Sequence, residues 1–209
     1  MRIGVLAIQG GFFEHILMLN NLDVQTLEVR LPQHLQDLDG LIIPGGESTT
    51  IGMLANHYNL IEPLRQFGRH HAIWGTCASA IFLSKDVHRS QPLLNLMDVT
   101  MVRNAFGSQA SSFEADLDVP ALCQIDPVAR PYRGVFIRAP LIESLGGNVQ
   151  ALARLNETHM VAALEGHLMA TSFHPELTKD DRFHRFFLEL ASGEHPSTLG
   201  VQTAGKKIA

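Results

Sequence analysis

Short apolar runs that stop at glycine and pass directly into helical spacing recur between Ile3 and Leu83, and no other feature restricts the fold as tightly. Ile3 to Ile8 is the first, closed by Gly10 and Gly11. Apolar runs without polar alternation suit strands covered on both faces, and such strands are joined through helices. The expected helix follows at once, with Phe12, Phe13, Ile16, Leu17 and Leu19 at near-helical spacing. Val24 to Val29 reads as a second strand and Gly40 to Ile43 as a third, stopped by Pro44-Gly45-Gly46. Glu47-Ser48-Thr49-Thr50 then supplies capping and acidic residues for the first turn of a helix carrying Ile51, Met53 and Leu54. Ala72 to Gly75 is a fourth strand, and Ala78 to Leu83 continues straight on as a helix. These repeated units predict an α/β fold of three αβα layers, flavodoxin-like, with a mostly parallel central sheet and helices on both faces.

The second half changes character and predicts antiparallel additions. Val99 to Val102, Ser112 to Leu117, Gly134 to Ile137, Val149 to Leu155, Met160 to Leu164 and His167 to Phe173 read as strands with short connections. Glu165-Gly166 looks like a hairpin turn. An amphipathic helix from Asp181 to Leu190 closes the fold with Phe183, Phe186, Phe187 and Leu190. No linker or charge run divides the chain, so residues 1–191 are expected to form one domain and residues 192–209 a flexible tail.

Composition removes several classes of function. With 45% hydrophobic and 18% charged residues the chain can bury a core and is too apolar to be largely disordered. Its 16 Lys and Arg against 21 Asp and Glu are scattered, which leaves no basic footprint for nucleic acid. No apolar run approaches the roughly 18 residues that span a bilayer, and the chain opens on a strand without signal-peptide anatomy, so a cytoplasmic protein is expected. Its two cysteines, Cys77 and Cys123, are too few for a disulfide framework and are read as thiols. They offer no Cys-x-x-Cys spacing; neither a metal site nor a cofactor is expected.

Cys77 lies where an apolar strand turns into a helix, inside Gly75-Thr76-Cys77-Ala78-Ser79. A sharp strand-to-helix turn lifts one side chain above the sheet edge, as in a nucleophile elbow. A thiol at a helix N-terminus ionises more readily, and the Ala78 N–H faces the place where an oxyanion would form. A thiolate nucleophile needs a base. Most of the 11 histidines, His70, His71 and His184 among them, read as ordinary surface or helix residues. His174 differs: it follows an apolar strand, and Glu176 comes two residues later. In an extended segment those two side chains face the same way, so the carboxylate can hold the imidazole in the tautomer that faces the thiol. Gly46, in the glycine turn after the third strand, is the candidate for a second oxyanion donor, and Glu47 for accepting a substrate ammonium. Arg103 and Arg138 are candidates for a substrate carboxylate. Taken singly, each segment has an ordinary explanation: a buried structural cysteine, a polar strand end, a glycine turn before a capped helix, solvated arginines.

Assembled, the segments resemble the class I glutamine amidotransferases, and among them the glutaminase subunits of pyridoxal 5'-phosphate synthases. The matching stretches are Ile3-Gly4-Val5-Leu6-Ala7-Ile8-Gln9-Gly10 with Glu14-His15, Pro44-Gly45-Gly46-Glu47-Ser48-Thr49-Thr50 and Gly75-Thr76-Cys77-Ala78. They continue through Arg103-Asn104-Ala105-Phe106-Gly107, Ser112-Phe113-Glu114, Phe136-Ile137-Arg138-Ala139-Pro140 and Thr171-Ser172-Phe173-His174-Pro175-Glu176-Leu177-Thr178. The resemblance implies hydrolysis of L-glutamine to L-glutamate and ammonia by Cys77, His174 and Glu176, with Gly46 and Ala78 at the oxyanion. It implies glutamine binding by Gly46, Glu47, Ser48, Arg103, Ile137 and Arg138. It also implies ammonia transfer to a separate synthase partner, which forms a ring-shaped core decorated by glutaminases that are nearly silent until they dock. Ser79 and Ser108 depart from the family, which usually has glycine and arginine at those places. Two alternatives stay open: the glutaminase of another amidotransferase, and a catalytically silent binding subunit of the same fold.

Overall fold

The computed structural model describes residues 1–103, 105 and 112–193. Every strand and helix expected in the first half forms there: β1 (Arg2–Leu6), α1 (Phe12–Asn20), β2 (Gln25–Val29), β3 (Gly40–Ile43), α2 (Ser48–His57), β4 (Ala72–Thr76) and α4 (Ala78–Leu83). Two elements join them, α3 (Ile61–Gly68) and the short β5 (Ser84–Asp86). Pro63 occupies the first turn of α3, where its missing N–H breaks no intrahelical bond. The second half holds β6 (Met97–Val102), β7 (Ser112–Leu117), β8 (Tyr132–Ile137), β9 (Leu141–Leu145), β10 (Gln150–Arg154), β11 (Met160–Glu165), β12 (Leu168–Thr171) and α5 (Arg182–Ser192).

The main sheet runs β2-β1-β3-β4-β12-β11-β9-β6-β5, with β10 paired to β11. From β2 to β12 every pairing is parallel, and β12-β11, β11-β9 and β9-β6 are antiparallel. The β11-β12 hairpin forms one residue later than expected: Glu165 pairs with Leu168, and the turn is Gly166-His167, with Gly166 at a left-handed φ of 60°. The parallel strands β1, β3, β4 and β12 are buried on both faces, their side chains alternating between two layers, while the edge strand β2 is partly exposed. Ile3, Val5, Ile42, Trp74 and Met169 pack with Leu19 of α1 and with Phe183, Phe186, Phe187 and Leu190 of α5. Leu6, Leu41, Ile43, Ile73, Leu168 and Ala170 pack with residues of α2, α3 and α4. These two apolar layers define the three-layer architecture; each fully buried Leu, Ile or Phe contributes about 1.5–3 kcal/mol.

β7 and β8 form a separate antiparallel ribbon. Phe136 of β8 stacks on Phe113 and meets Phe173 edge-on, and Tyr132 packs against Phe173 and Phe183. The ribbon is thereby pinned beside the segment that follows β12. Among the described residues no helix is long and apolar enough to cross a membrane. The expected tail beyond Gly193 lies outside them.

Candidate active site

β4 ends at Thr76 and α4 begins at Ala78, so Cys77 makes the whole turn, with φ 48° and ψ −114°. A left-handed φ at a residue other than glycine costs on the order of 1–3 kcal/mol and is kept where packing over-determines it. Three contacts do so. The Cys77 N–H donates to the Thr171 carbonyl at 2.7 Å, anchoring the turn to β12. A side chain at Gly75 would stand 2.6 Å from the Ser79 carbonyl, so only glycine lets strand and helix come this close. The hydroxyl of Ser79, fully buried, donates to the Pro44 carbonyl at 2.5 Å. The serine that departs from the family pattern thus ties the helix to the glycine turn after β3.

His174 is carried by the segment after β12, its N–H donating to the Val135 carbonyl at 2.8 Å. The expected strand stops at Thr171, and Pro175–Leu177 is a 3-10 turn rather than extended chain. Pro175 favours this, its fixed φ being already suited to a helical turn. Glu176 therefore reaches its neighbour from within a turn: His174 Nδ1 and Glu176 Oε1 lie 2.6 Å apart, the carboxylate side chain 2% exposed. A Cβ on Gly45 would fall 2.7 Å from His174 Cε1 and 3.0 Å from Cys77 Cβ, so imidazole and cysteine flank one glycine. Burial opposes the His174 charge, but hydrogen bonds to Cys77 and Glu176 outweigh it and raise the imidazole to about 10.

The rim of the site is polar. Glu47 caps α2, its Oε2 accepting from the Thr50 N–H at 2.7 Å and from the Thr50 hydroxyl at 2.9 Å. Its Oε1 accepts from Arg103 Nη2 at 2.8 Å, and Arg103 Nη1 donates to Thr49 Oγ1 at 3.1 Å. Burial is the largest single influence and disfavours the Glu47 charge, but the Thr50, Thr49 and Arg103 hydrogen bonds together prevail and hold the carboxyl at about 2. Ser48 is buried, its hydroxyl accepting from Gln91 at 3.3 Å. A side chain on Gly46 would run into Gln9, whose Oε1 takes the Glu47 N–H at 2.9 Å. The Ile137 carbonyl stands 3.8 Å from Cys77 Sγ, and the exposed Arg138 beside it has a left-handed φ of 46°. The expected residues of β3, β4, β8 and the post-β12 segment are thus brought to one sheet edge. Asn104, Phe106, Gly107 and Ser108 lie outside the described residues. Cys123 is exposed, in the 3-10 turn Pro120–Gln124.

Two residues were missed. His184, read from sequence as an ordinary helix or surface histidine, is fully buried and lies 2.9 Å from Nδ1 of a second fully buried histidine, His15. His15 Nε2 in turn lies 3.4 Å from Glu176 Oε2 and 3.4 Å from Thr76 Oγ1. The sequence signal was a histidine at the inward position of an apolar helix stripe, four residues before the buried Leu19.

The sequence pattern of the SNO glutamine amidotransferase family matches residues 5–192. The chain is 51% identical over 195 residues to pyridoxal 5'-phosphate synthase subunit PdxT of Chloroflexus aurantiacus, covering 91% of this chain and 100% of the relative. It is 54% identical over 194 residues to the protein of that name from a Roseiflexus species, with the same coverage of both. A crystal structure of a glutamine amidotransferase superposes with a TM-score of 0.84 at 46% identity, covering 91% of this chain and 98% of that one. The structure of PurLQS from Thermotoga maritima, at a TM-score of 0.66 and 15% identity over 90% of this chain and 97% of that one, shares the fold.

Proposed function

The chain belongs to the SNO glutamine amidotransferase family, and on that premise we propose that it hydrolyses L-glutamine through Cys77, His174 and Glu176, as the glutaminase subunit of a pyridoxal 5'-phosphate synthase. The observation that carries the reading is the convergence of Cys77 and His174 on Gly45, with Glu176 Oε1 at 2.6 Å from His174 Nδ1. That is the order nucleophile, base, orienting carboxylate.

Cys77 Sγ attacks the side-chain amide carbon of glutamine, and His174 takes the thiol proton. The N–H groups of Gly46 and Ala78 stabilise the tetrahedral oxyanion. His174 then gives its proton to the departing nitrogen, and ammonia leaves a glutamyl thioester on Cys77. Water, deprotonated by His174, attacks the thioester; L-glutamate and the free thiol are regenerated. Gly46, Glu47, Ser48, Arg103, Ile137 and Arg138 hold the substrate. Arg103 and Arg138 attract its α-carboxylate and Glu47 its ammonium, a role supported by the ionised state of that carboxyl.

The relatives' shared name supports a separate synthase partner as the consumer of the ammonia, which condenses it with a pentose phosphate and a triose phosphate. In this reading that partner is a ring-shaped core, docking completes the oxyanion loop, and the complex is cytoplasmic. Residues 1–191 act as one glutaminase domain, followed by a tail. The test is glutamate release by the purified chain with and without its cognate synthase. Release in the mixture, lost in Cys77→Ala, is expected; a mixture that releases no more glutamate than Cys77→Ala overturns the proposal.

A further inference from the structure

Behind the triad, on the far side of Glu176 from His174, two imidazoles are sunk in the apolar layer between β4 and the helices α1 and α5. His15 stands on the inward face of α1 with Leu19, and His184 in the first turns of α5 between Phe183 and Phe187. Both are 0% exposed. Trp74 packs edge-on against the two rings, at centroid distances of 5.7 and 5.0 Å. Polar groups in such a layer are costly unless they bond to one another. The two rings do: His184 Nε2 and His15 Nδ1 lie 2.9 Å apart, and His15 Nε2 faces both Thr76 Oγ1 and Glu176 Oε2, each at 3.4 Å.

Desolvation holds both imidazoles neutral, His15 well below its ordinary value and His184 down to about 3, so each ring carries one proton. Two arrangements of those protons are possible. If His15 donated from Nδ1, its bare Nε2 could accept from the Thr76 hydroxyl at 3.4 Å but would also face the Glu176 carboxylate at the same distance, lone pair against negative charge. His184 would then bury an N–H on Nδ1, an atom with no partner among the described residues. If His184 donates from Nε2, both faults vanish: His15 keeps its proton on Nε2, aimed at the carboxylate, and only a bare nitrogen is left over on His184. Glu176 Oε2 is buried and has no hydrogen-bond partner among the described residues, with His15 Nε2 standing 3.4 Å from it, while Oε1 is committed to His174.

We propose that His15 is a positioning residue: its Nε2–H, fixed by the proton that His184 donates to Nδ1, holds the second oxygen of Glu176 so that the first stays on His174. The inference rests on the triad reading above and adds to it a three-residue support running from α5 through α1 to the carboxylate. An outer partner of this kind sets the orientation and tautomer of the group it touches, and its loss lowers turnover without touching substrate.

The experiment is steady-state glutaminase kinetics of the full chain with its cognate synthase. His15→Leu, similar in bulk but unable to donate, is expected to lower kcat about 10- to 100-fold and to leave KM for glutamine within about twofold. His15→Gln places an amide that can accept from His184 and donate to Glu176; it is expected to recover most of the lost kcat. His15→Leu with kcat within about twofold of wild type, or His15→Gln no better than His15→Leu, overturns the proposal. Should His15→Leu fail to fold, the same comparison is made one residue back. His184→Gln still donates to His15 and is expected to be active, whereas His184→Leu should lose about tenfold; equal kcat in those two overturns it. A wild-type complex that releases no glutamate overturns the triad reading and this inference with it. An active wild type with an equally active His15→Leu overturns this inference alone.

Discussion

The two ends of the polar chain through Glu176 hold the same side chain under opposite rules. At the outer end His174 sits at the site's mouth, 14% exposed, with Cys77 and Glu176 against it, and its partners hold the proton on the ring. At the inner end His15 and His184 are sealed among aromatic rings, and burial strips them to the neutral form. An imidazole that must accept and return a proton is placed beside groups that exchange it. The imidazoles behind the carboxylate, one against it and one against the first ring, are placed where burial opposes a change in protonation. The difference teaches that a charge-bearing site is built from both kinds of surroundings, a responsive mouth and an unresponsive backing, and each can be broken separately.

The largest effect should come from disturbing the mouth where it is tightest. Gly45→Ala puts a methyl 2.7 Å from His174 Cε1 and 3.0 Å from Cys77 Cβ, so one of the two must move. Misplacing a catalytic group by about 1 Å costs on the order of 10²-fold in rate, and the crowding should cost about 1–3 kcal/mol in stability. Glutaminase kinetics and urea denaturation of the variant measure both. Wild-type kcat in Gly45→Ala would mean that imidazole and thiol do not meet across this glycine in the working enzyme.

A smaller effect separates the two ends by pH. The raised folded value of His174, about 10 against an ordinary 6.5, gives a contribution that is complete below pH 6.5 and lost as pH climbs toward 10. For His184 the sign reverses. With its folded value down at about 3, its contribution is present above pH 6.5 and lost as pH falls, because the unfolded chain takes up a proton that the buried ring refuses. His15 acts in the same direction. Each group can supply a slope of at most about 1.4 kcal/mol per pH unit. In urea unfolding across pH, His174→Gln should flatten the alkaline limb and leave the acid limb, and His184→Phe should do the converse. Identical acid limbs in wild type and His184→Phe would show that the inner rings do not resist protonation.

The same contrast explains what could be read in the sequence. β1, β3 and β4 announce themselves because strands covered on both faces are apolar throughout and end at glycine. β9 has only Leu141 and Ile142 buried, too short a pattern to mark a strand, and Pro63 disguises α3 as a break. Cys77, His174 and Glu176 are legible because local rules, an elbow and a two-residue spacing, point to them. The path from His174 to Glu176 was nonetheless different from the expected one, since Pro175 starts a 3-10 turn where an extended strand end was expected. His15 and His184 lie 169 residues apart; the apolar stripe of α1 marks His15 as inward, but nothing local names a partner that comes from another helix. Their pairing is a product of α1 and α5 bringing both rings against Trp74 of β4.

The smallest effect belongs to the rim, where Glu47 and Arg103 form an ion pair with side chains 45% and 25% exposed. Water screens such a pair, and its two long side chains lose freedom in forming it, so Arg103→Met should change stability by no more than about 1 kcal/mol. Its effect on glutamine should be larger than its effect on the fold. Removing the guanidinium takes away a carboxylate partner and frees Glu47 from its 2.8 Å hydrogen bond, so KM should rise while kcat falls little, the pattern of lost binding equal in ground and transition states. A fall in kcat at unchanged KM would move Arg103 from the substrate to the chemistry. It would also make the rim as unyielding as the buried imidazoles, which its exposure to water argues against.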